Sequence, residues 1–254
     1  IQMAKARLVV GLGSDFLNGY TGQSLEGGYA EARQPGKHMM RHIQVESNLS
    51  LTGSNADKRI KVGASEQFAS LVYLYNKVTG SSLPMGALST QAKASLDGVA
   101  KELMKAGSHS LVMVGGNDAN AEKIALALNQ ALGSIGTTLD LDKRVYLRSG
   151  DDKALYAMIE RMNAGQVGAI ITNGVNPVYQ LSTAKGYASG LEKVTTKVAF
   201  TDRLDESAAS MDYVLPISHA YESWGDAIPA TGVYALTQPT IKPLFDTKQF
   251  EEAL

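Results

Sequence analysis

Cysteine is absent from the 254-residue chain. That excludes a disulfide, an iron–sulfur cluster, a zinc–cysteine centre and a thiol nucleophile built from this chain, and it leaves the redox compartment open. An excess of one charge is also lacking: 24 Lys and Arg stand against 25 Asp and Glu, with a sequence pI of about 6.5. A nucleic-acid platform needs a basic surface, and the 7% aromatic content supplies no stacking platform either, so no nucleic-acid partner is expected. Long apolar runs are missing. The longest uncharged stretch, residues 164–183, is broken by Gln166, Asn173, Asn176, Pro177 and Gln180, so no direct membrane span is expected. The chain opens on Ile1-Gln2-Met3-Ala4, with neither a basic leader nor an initiator Met, and is expected to be an internal piece of a longer protein. Two nucleotide fingerprints are absent. Gly11-Leu12-Gly13 lacks the third glycine of G-x-G-x-x-G, and no G-x-x-x-x-G-K-[ST] occurs.

What is present has the composition of a globular chain, 44% hydrophobic and 19% charged. Four apolar runs end in Gly, Asn or Asp: Leu8–Asp15, Ser110–Asp118, Ala169–Pro177 and Lys197–Asp202. Short β-branched runs without polar alternation predict strands buried on both faces, the pattern of a parallel sheet. Between them lie helical periods over Ser65–Lys77, Thr90–Ala106, Asn120–Leu132 and Asp152–Asn163. The alternation predicts an α/β fold: an open, mainly parallel sheet flanked by helices, a Rossmann-like lobe with part of a second lobe. The expected boundary follows residue 64. Residues 1–64 form the end of a first lobe and a connecting segment. Residues 65–254 form the main lobe, with an extended C-terminal tail from Ala227 that ends in a short acidic helix, and the four runs are expected to be parallel to one another. The glycine-rich, polar stretch Gly19–Gly63 reads as a long connection packed on another domain or carrying function.

Ligands of open parallel sheets bind outside the carboxyl ends of the strands. The turn Asn173-Gly174-Val175-Asn176-Pro177 stands at such an end, and Asp202 closes the next strand, where a carboxylate can accept from a ribose or a guanine edge. Ordinary turn chemistry, with Asp202 capping a helix, explains the same residues. His38 and His42, four apart, suit either one helix face of a metal site or an interface strip with Met39, Met40 and Arg41. His219 and Glu222 read as an acid–base pair or as polar closure of a loop around Trp224. Ser47, Ser50, Ser54 and Ser218 are nucleophiles by residue type only, since none sits in a G-x-S-x-G elbow.

The motifs in order are more specific than any one of them. Asn173-Gly174-Val175-Asn176-Pro177-Val178-Tyr179 resembles the G-x-N-P loop of molybdopterin oxidoreductases of the dimethyl sulfoxide reductase type. The strand ending in Asp202, the acidic start Asp205-Glu206-Ser207-Ala208, the segment Met211-Asp212-Tyr213-Val214-Leu215-Pro216 and Glu222-Ser223-Trp224-Gly225 follow in that family's order. Ala127–Gly136 is similar to its A-L-N-x-L-x-G-N-I-G helix end. Leu8–Leu17, Met40–Asp57 and Gln238–Phe245 resemble the large B subunit of alternative complex III, a respiratory quinol oxidoreductase whose molybdopterin-like part carries no molybdenum.

The resemblance implies cofactor contacts at Gly115, Asn117, Gly174, Asn176 and Asp202, vestigial in the narrower family, with no catalytic residue and no metal ligand in this chain. It implies a cofactor-free scaffold for electron transfer from quinol. The chain itself would be non-catalytic, with iron–sulfur clusters and haems in neighbouring segments or subunits. The expected partners are the other subunits of a membrane respiratory complex and the remaining domains of the same subunit, on the periplasmic face of the bacterial inner membrane. The alternatives are a fragment of a catalytic molybdenum bis-pterin enzyme and a free-standing nucleotide-binding module. Electrostatics weigh against a bound pyrophosphate: Asp15 and Asp118 stand at two of the turns, and a like-charge contact costs about 4 kcal/mol at 4 Å and a dielectric of about 20. A helix dipole returns only about 0.3–1 kcal/mol. Either acid escapes this conflict if it caps a helix instead.

Overall fold

Every residue of Leu8–Leu12 is buried, as an apolar run without alternation requires, and this strand lies at the interior of a sheet. The computed structural model describes residues 1–19, 25–146 and 150–253. They form two compact units, Ile1–Val145 and Tyr146–Leu254.

In chain order the first unit contains β1 (Leu8–Leu12), α1 (Glu26–Ala32), β2 (Arg41–Glu46), α2 (Leu51–Ser54), β3 (Lys58–Lys61), α3 (Glu66–Thr79), α4 (Thr90–Ala106), β4 (Ser110–Val114) and α5 (Ala119–Ala131). Its sheet has the order β3-β2-β1-β4, with every pairing parallel and Leu8 in register with both Arg41 and Ser110. Side chains alternate across it. Leu8, Val10, Leu12, Ile43, Val45 and Val112 pack under α3, α4 and α5, while Val9, Leu111 and Met113 pack with Phe16 and Tyr29 on the other face. The helix ends follow local chemistry: Ser89 caps α4 by accepting from Ala92 N–H at 3.3 Å, and Gly80 ends α3 at φ +72°.

The second unit contains α6 (Asp152–Asn163), β5 (Ala169–Asn173), α7 (Pro177–Gln180), α8 (Ala184–Leu191), β6 (Thr196–Thr201), β7 (Tyr213–Pro216), β8 (Gly225–Ala230), β9 (Val233–Thr237) and α9 (Phe250–Ala253). β5, β6 and β7 make a parallel sheet in that order, and β8 and β9 an antiparallel hairpin. The core joins Ile170 of β5 to Ile159 and Met162 of α6 and to Tyr187 and Leu191 of α8.

The α/β architecture with parallel sheets flanked by helices agrees with the sequence reading. Four details differ from it. The division falls at 145/146 rather than 64/65, because β4 pairs with β1 while β5 and β6 belong to a separate sheet. Residues 19–63, read as a connection, hold β2 and β3. The run at 169–173 is buried on one face only: Ile170 and Thr172 point inward, and Ile171 is half exposed. The C-terminal stretch, read as an extended tail, folds into the β8–β9 hairpin around Gly232 at φ +80°; the short acidic helix at its end is present as α9.

Candidate functional site

The structure distributes the five implied contact residues over both units. Gly174, Asn176 and Asp202 come together at the carboxyl ends of the neighbouring strands β5 and β6, where Gly174 N–H donates to Phe200 O at 2.9 Å. Gly115 and Asn117 follow β4 in the first unit.

The side chains of Asn176 and Asp202 are engaged within the chain. Asn176 donates through Nδ2 to Glu206 Oε2 at 2.6 Å and accepts through Oδ1 from Ser207 Oγ at 2.7 Å. Ser207, itself buried, accepts in turn from Val178 N–H at 2.9 Å. Asp202 is held in a two-pronged pair with Arg203, at 2.9 Å to Nε and 2.8 Å to Nη2, and that guanidinium keeps its carboxyl below the usual range. Gly115 is needed for close approach, because a Cβ there would strike the Gly13 carbonyl oxygen. Asn117 is exposed in the bend after it.

Both acids expected to repel an anion accept from N–H groups in the first turn of a helix. Asp118 Oδ1 accepts from Asn120 N–H at 2.8 Å and from Ala121 N–H at 3.4 Å at the start of α5. Asp15 Oδ1 accepts from Thr52 N–H at 2.9 Å in α2. Their charge is spent on helix N–H groups, and the like-charge conflict expected from sequence is correspondingly reduced. The fit to a pyrophosphate fails for a different reason: the capping positions and polar side chains it would use are occupied, and Arg203 is already paired with Asp202.

The remaining candidates resolve into structure. His38 lies in an exposed turn and His42 on β2, so they share no helix face; among the described residues no cluster of three metal-ligating side chains occurs. Glu222 accepts from the backbone N–H groups of His219 (3.0 Å) and Leu244 (3.1 Å), which makes it a loop closure rather than an acid–base partner of the imidazole. Ser50 caps α2 and donates to Glu46 at 2.6 Å, Ser54 donates to Leu51 O at 2.7 Å, and Ser218 pairs with Thr247 at 2.9 Å.

Sequence reasoning missed a buried polar ladder on β2. His42, Gln44 and Glu46 alternate along one face, all nearly free of solvent contact. Gln44 Nε2 donates to Ser14 O at 3.0 Å and to Glu46 Oε2 at 3.4 Å, so its Oε1 faces His42 Nε2 at 3.3 Å and takes that nitrogen's proton. His42 Nδ1 lies 3.1 Å from Tyr29 Oη, whose proton goes to the Asn55 carbonyl oxygen at 3.1 Å. Rings of Phe16 and Tyr29 enclose the imidazole at 5.4 and 5.6 Å, and burial pushes its pKa down. Burial pushes the Glu46 carboxyl up, but hydrogen bonds from Ser50 and Arg59 (2.6 Å) outweigh it and hold the group below its ordinary value. Arg33 grips Asp57 at 2.6 and 2.9 Å and lowers its pKa, while Asp57 accepts from His42 N–H at 2.7 Å. The period-2 pattern His42-x-Gln44-x-Glu46 is the signal that marks this strand.

No known family profile matches the chain. It is 35% identical over 185 residues to the menaquinone reductase, molybdopterin-binding-like subunit, of Nitratidesulfovibrio vulgaris (strain Hildenborough); the match covers 64% of this chain and 26% of that protein. Among solved structures it superposes on acetylene hydratase from Pelobacter acetylenicus with a TM-score of 0.62 at 12% identity, over 98% of this chain and 46% of that one. The chain thus spans about a quarter of the length of the curated relative and less than half of the solved structure. It has a molybdopterin-oxidoreductase-like fold and is a distant homologue of part of the molybdopterin-binding-like subunit of a menaquinone reductase.

Proposed function

We propose that the chain is a cofactor-free, molybdopterin-oxidoreductase-like part of a respiratory quinone oxidoreductase complex, of the alternative complex III type, and serves as a scaffold for electron transfer from quinol. The carrying observation is the 35% identity to a subunit whose name is molybdopterin-binding-like. The closed turn at Asn176, the pairing of Asp202 with Arg203 and the absence of cysteine support the cofactor-free reading. Gly115, Asn117, Gly174, Asn176 and Asp202 are in this reading an inherited frame that shapes the strand ends. Clusters and haems reside in neighbouring segments or subunits, which are also the partners. Among the described residues no helix is long and apolar enough to cross a membrane. A periplasmic location rests on the resemblance to alternative complex III alone.

The test is purification of the native, tagged protein from detergent-solubilised membranes of its source. Co-purification of haem- or cluster-bearing subunits with quinol-dependent electron transfer is the expected result. Recovery of the protein alone, without redox partners, overturns the proposal.

A further inference from the structure

The edge of the first sheet opposite the turns described above carries a second feature. A cavity of about 410 Å³ opens where the amino ends of the strands begin, between the 3-10 turn Met3–Lys5, the end of α1 and the start of β4. Lys5, Arg7, His38 and His109 line it, with Glu31 as the one acid among its described lining residues. In a chain of net charge −1 this is a local excess of cations. Neither Lys5 nor Arg7 has an ion-pair partner among the described residues, although Arg33 and Arg41 nearby in the chain both have one.

The cavity is framed by fixed backbone. Arg7 N–H donates to His109 O at 2.8 Å, and Arg41 N–H to Arg7 O at 2.8 Å, which ties three strand beginnings together. The Lys5 carbonyl lies 3.1 Å from His109 Nδ1. A carbonyl only accepts, so Nδ1 carries the proton, and Nε2 of that tautomer is an acceptor for a hydroxyl of the ligand body. A guanidinium fork and an ammonium around one opening match the oxygens of a phosphate group. The volume exceeds what a bare phosphate needs and falls in the range of small-ligand pockets, with Ala32 and Met39 giving an apolar wall.

We infer that this cavity binds a phosphate monoester or diester carried on a small organic body, such as glycerol phosphate, free or as a lipid headgroup. The site lies at the amino ends of the strands of its own sheet, and it stands whether or not the proposed function does.

Titration calorimetry of the intact chain with glycerol 3-phosphate, with inorganic phosphate as competitor, tests it. Saturable binding is expected, weakened roughly tenfold or more in the double variant Lys5→Gln/Arg7→Gln and unchanged in Lys153→Gln on α6. Both targeted side chains are exposed, and unchanged melting of the variants checks that the fold is kept. A second arm compares cosedimentation with mixed phosphatidylcholine–phosphatidylglycerol vesicles and with pure phosphatidylcholine vesicles. Vesicle binding lost in the double variant assigns the phosphate to a lipid headgroup; glycerol 3-phosphate binding without vesicle binding assigns it to a soluble ligand. No binding in either arm, or an equal loss in Lys153→Gln, overturns the inference.

Discussion

Asn176 and Glu206 meet across the turn after β5, with Asn176 Nδ2 donating to the carboxylate at 2.6 Å. The second end of the same amide accepts from the buried Ser207 hydroxyl. A residue positioned to contact a ligand is thereby committed to the chain's own loop. Asn176→Ala leaves Ser207 without its acceptor and is expected to cost about 1 kcal/mol in denaturant unfolding. Stability equal to the parent chain would mean that Asn176 is free for a ligand.

Two glycines of the frame differ in what they demand. Gly115 has the Gly13 carbonyl where a methyl would go, whereas Gly174 has open space but a φ of +61°. Backbone does not yield as a side chain tip does, so Gly115→Ala is expected to destabilise by about 3 kcal/mol. Gly174→Ala should cost about 1 kcal/mol, the penalty of a left-handed backbone for an L residue. Chemical denaturation of both variants gives the order, and a reversed order contradicts the packing described.

The polar ladder makes stability depend on pH. His42 is kept neutral in the fold by burial, while an unfolded histidine titrates near 6.5. Below about 6.5 the unfolded chain therefore binds a proton that the folded chain does not, and stability falls as pH falls. Asp57, held down by Arg33, and Glu46, whose hydrogen bonds outweigh its burial, stabilise the fold above about 4 and lose that contribution on further acidification. Melting temperature is expected to fall between about pH 7 and 5 and again below about 4, with the first fall flattened in His42→Gln. A melting temperature independent of pH from about 7 to 5 would contradict the neutral buried imidazole.

Tyr187 on α8 is buried, and its hydroxyl has no hydrogen-bond partner among the described residues. Burial pushes its pKa up to about 12. An unsatisfied buried hydroxyl costs about 1–3 kcal/mol, so Tyr187→Phe should stabilise the chain by about 1 kcal/mol. A loss of stability in thermal melts would reveal a partner for the hydroxyl.

The strands legible in the sequence are those whose neighbours on both faces are apolar, as in Leu8–Leu12 and Ser110–Val114. The helices Thr90–Ala106 and Asp152–Asn163 were legible to the residue because apolar period and caps agree. β2 was illegible to a search for unbroken apolar runs, since its second face buries His42, Gln44 and Glu46 in hydrogen bonds that only the folded chain supplies. Gly11 makes room for that face, because a methyl there would strike Gln44 Oε1. The β8–β9 hairpin was hidden by Pro229, a residue that argues against a strand; its carbonyl accepts from Tyr146 N–H at 2.8 Å instead. At the candidate site the motif order located the turns, but the hydrogen bonds of Asp15 and Asp118 to helix N–H groups depend on α2 and α5 lying where they do.

In the proposed function this fold holds no molybdopterin. Elemental analysis for molybdenum and tungsten, paired with pterin fluorescence after oxidative release, on the native complex tests it most directly. Metal and pterin far below one equivalent per chain are expected, and stoichiometric metal with pterin would contradict the proposed function.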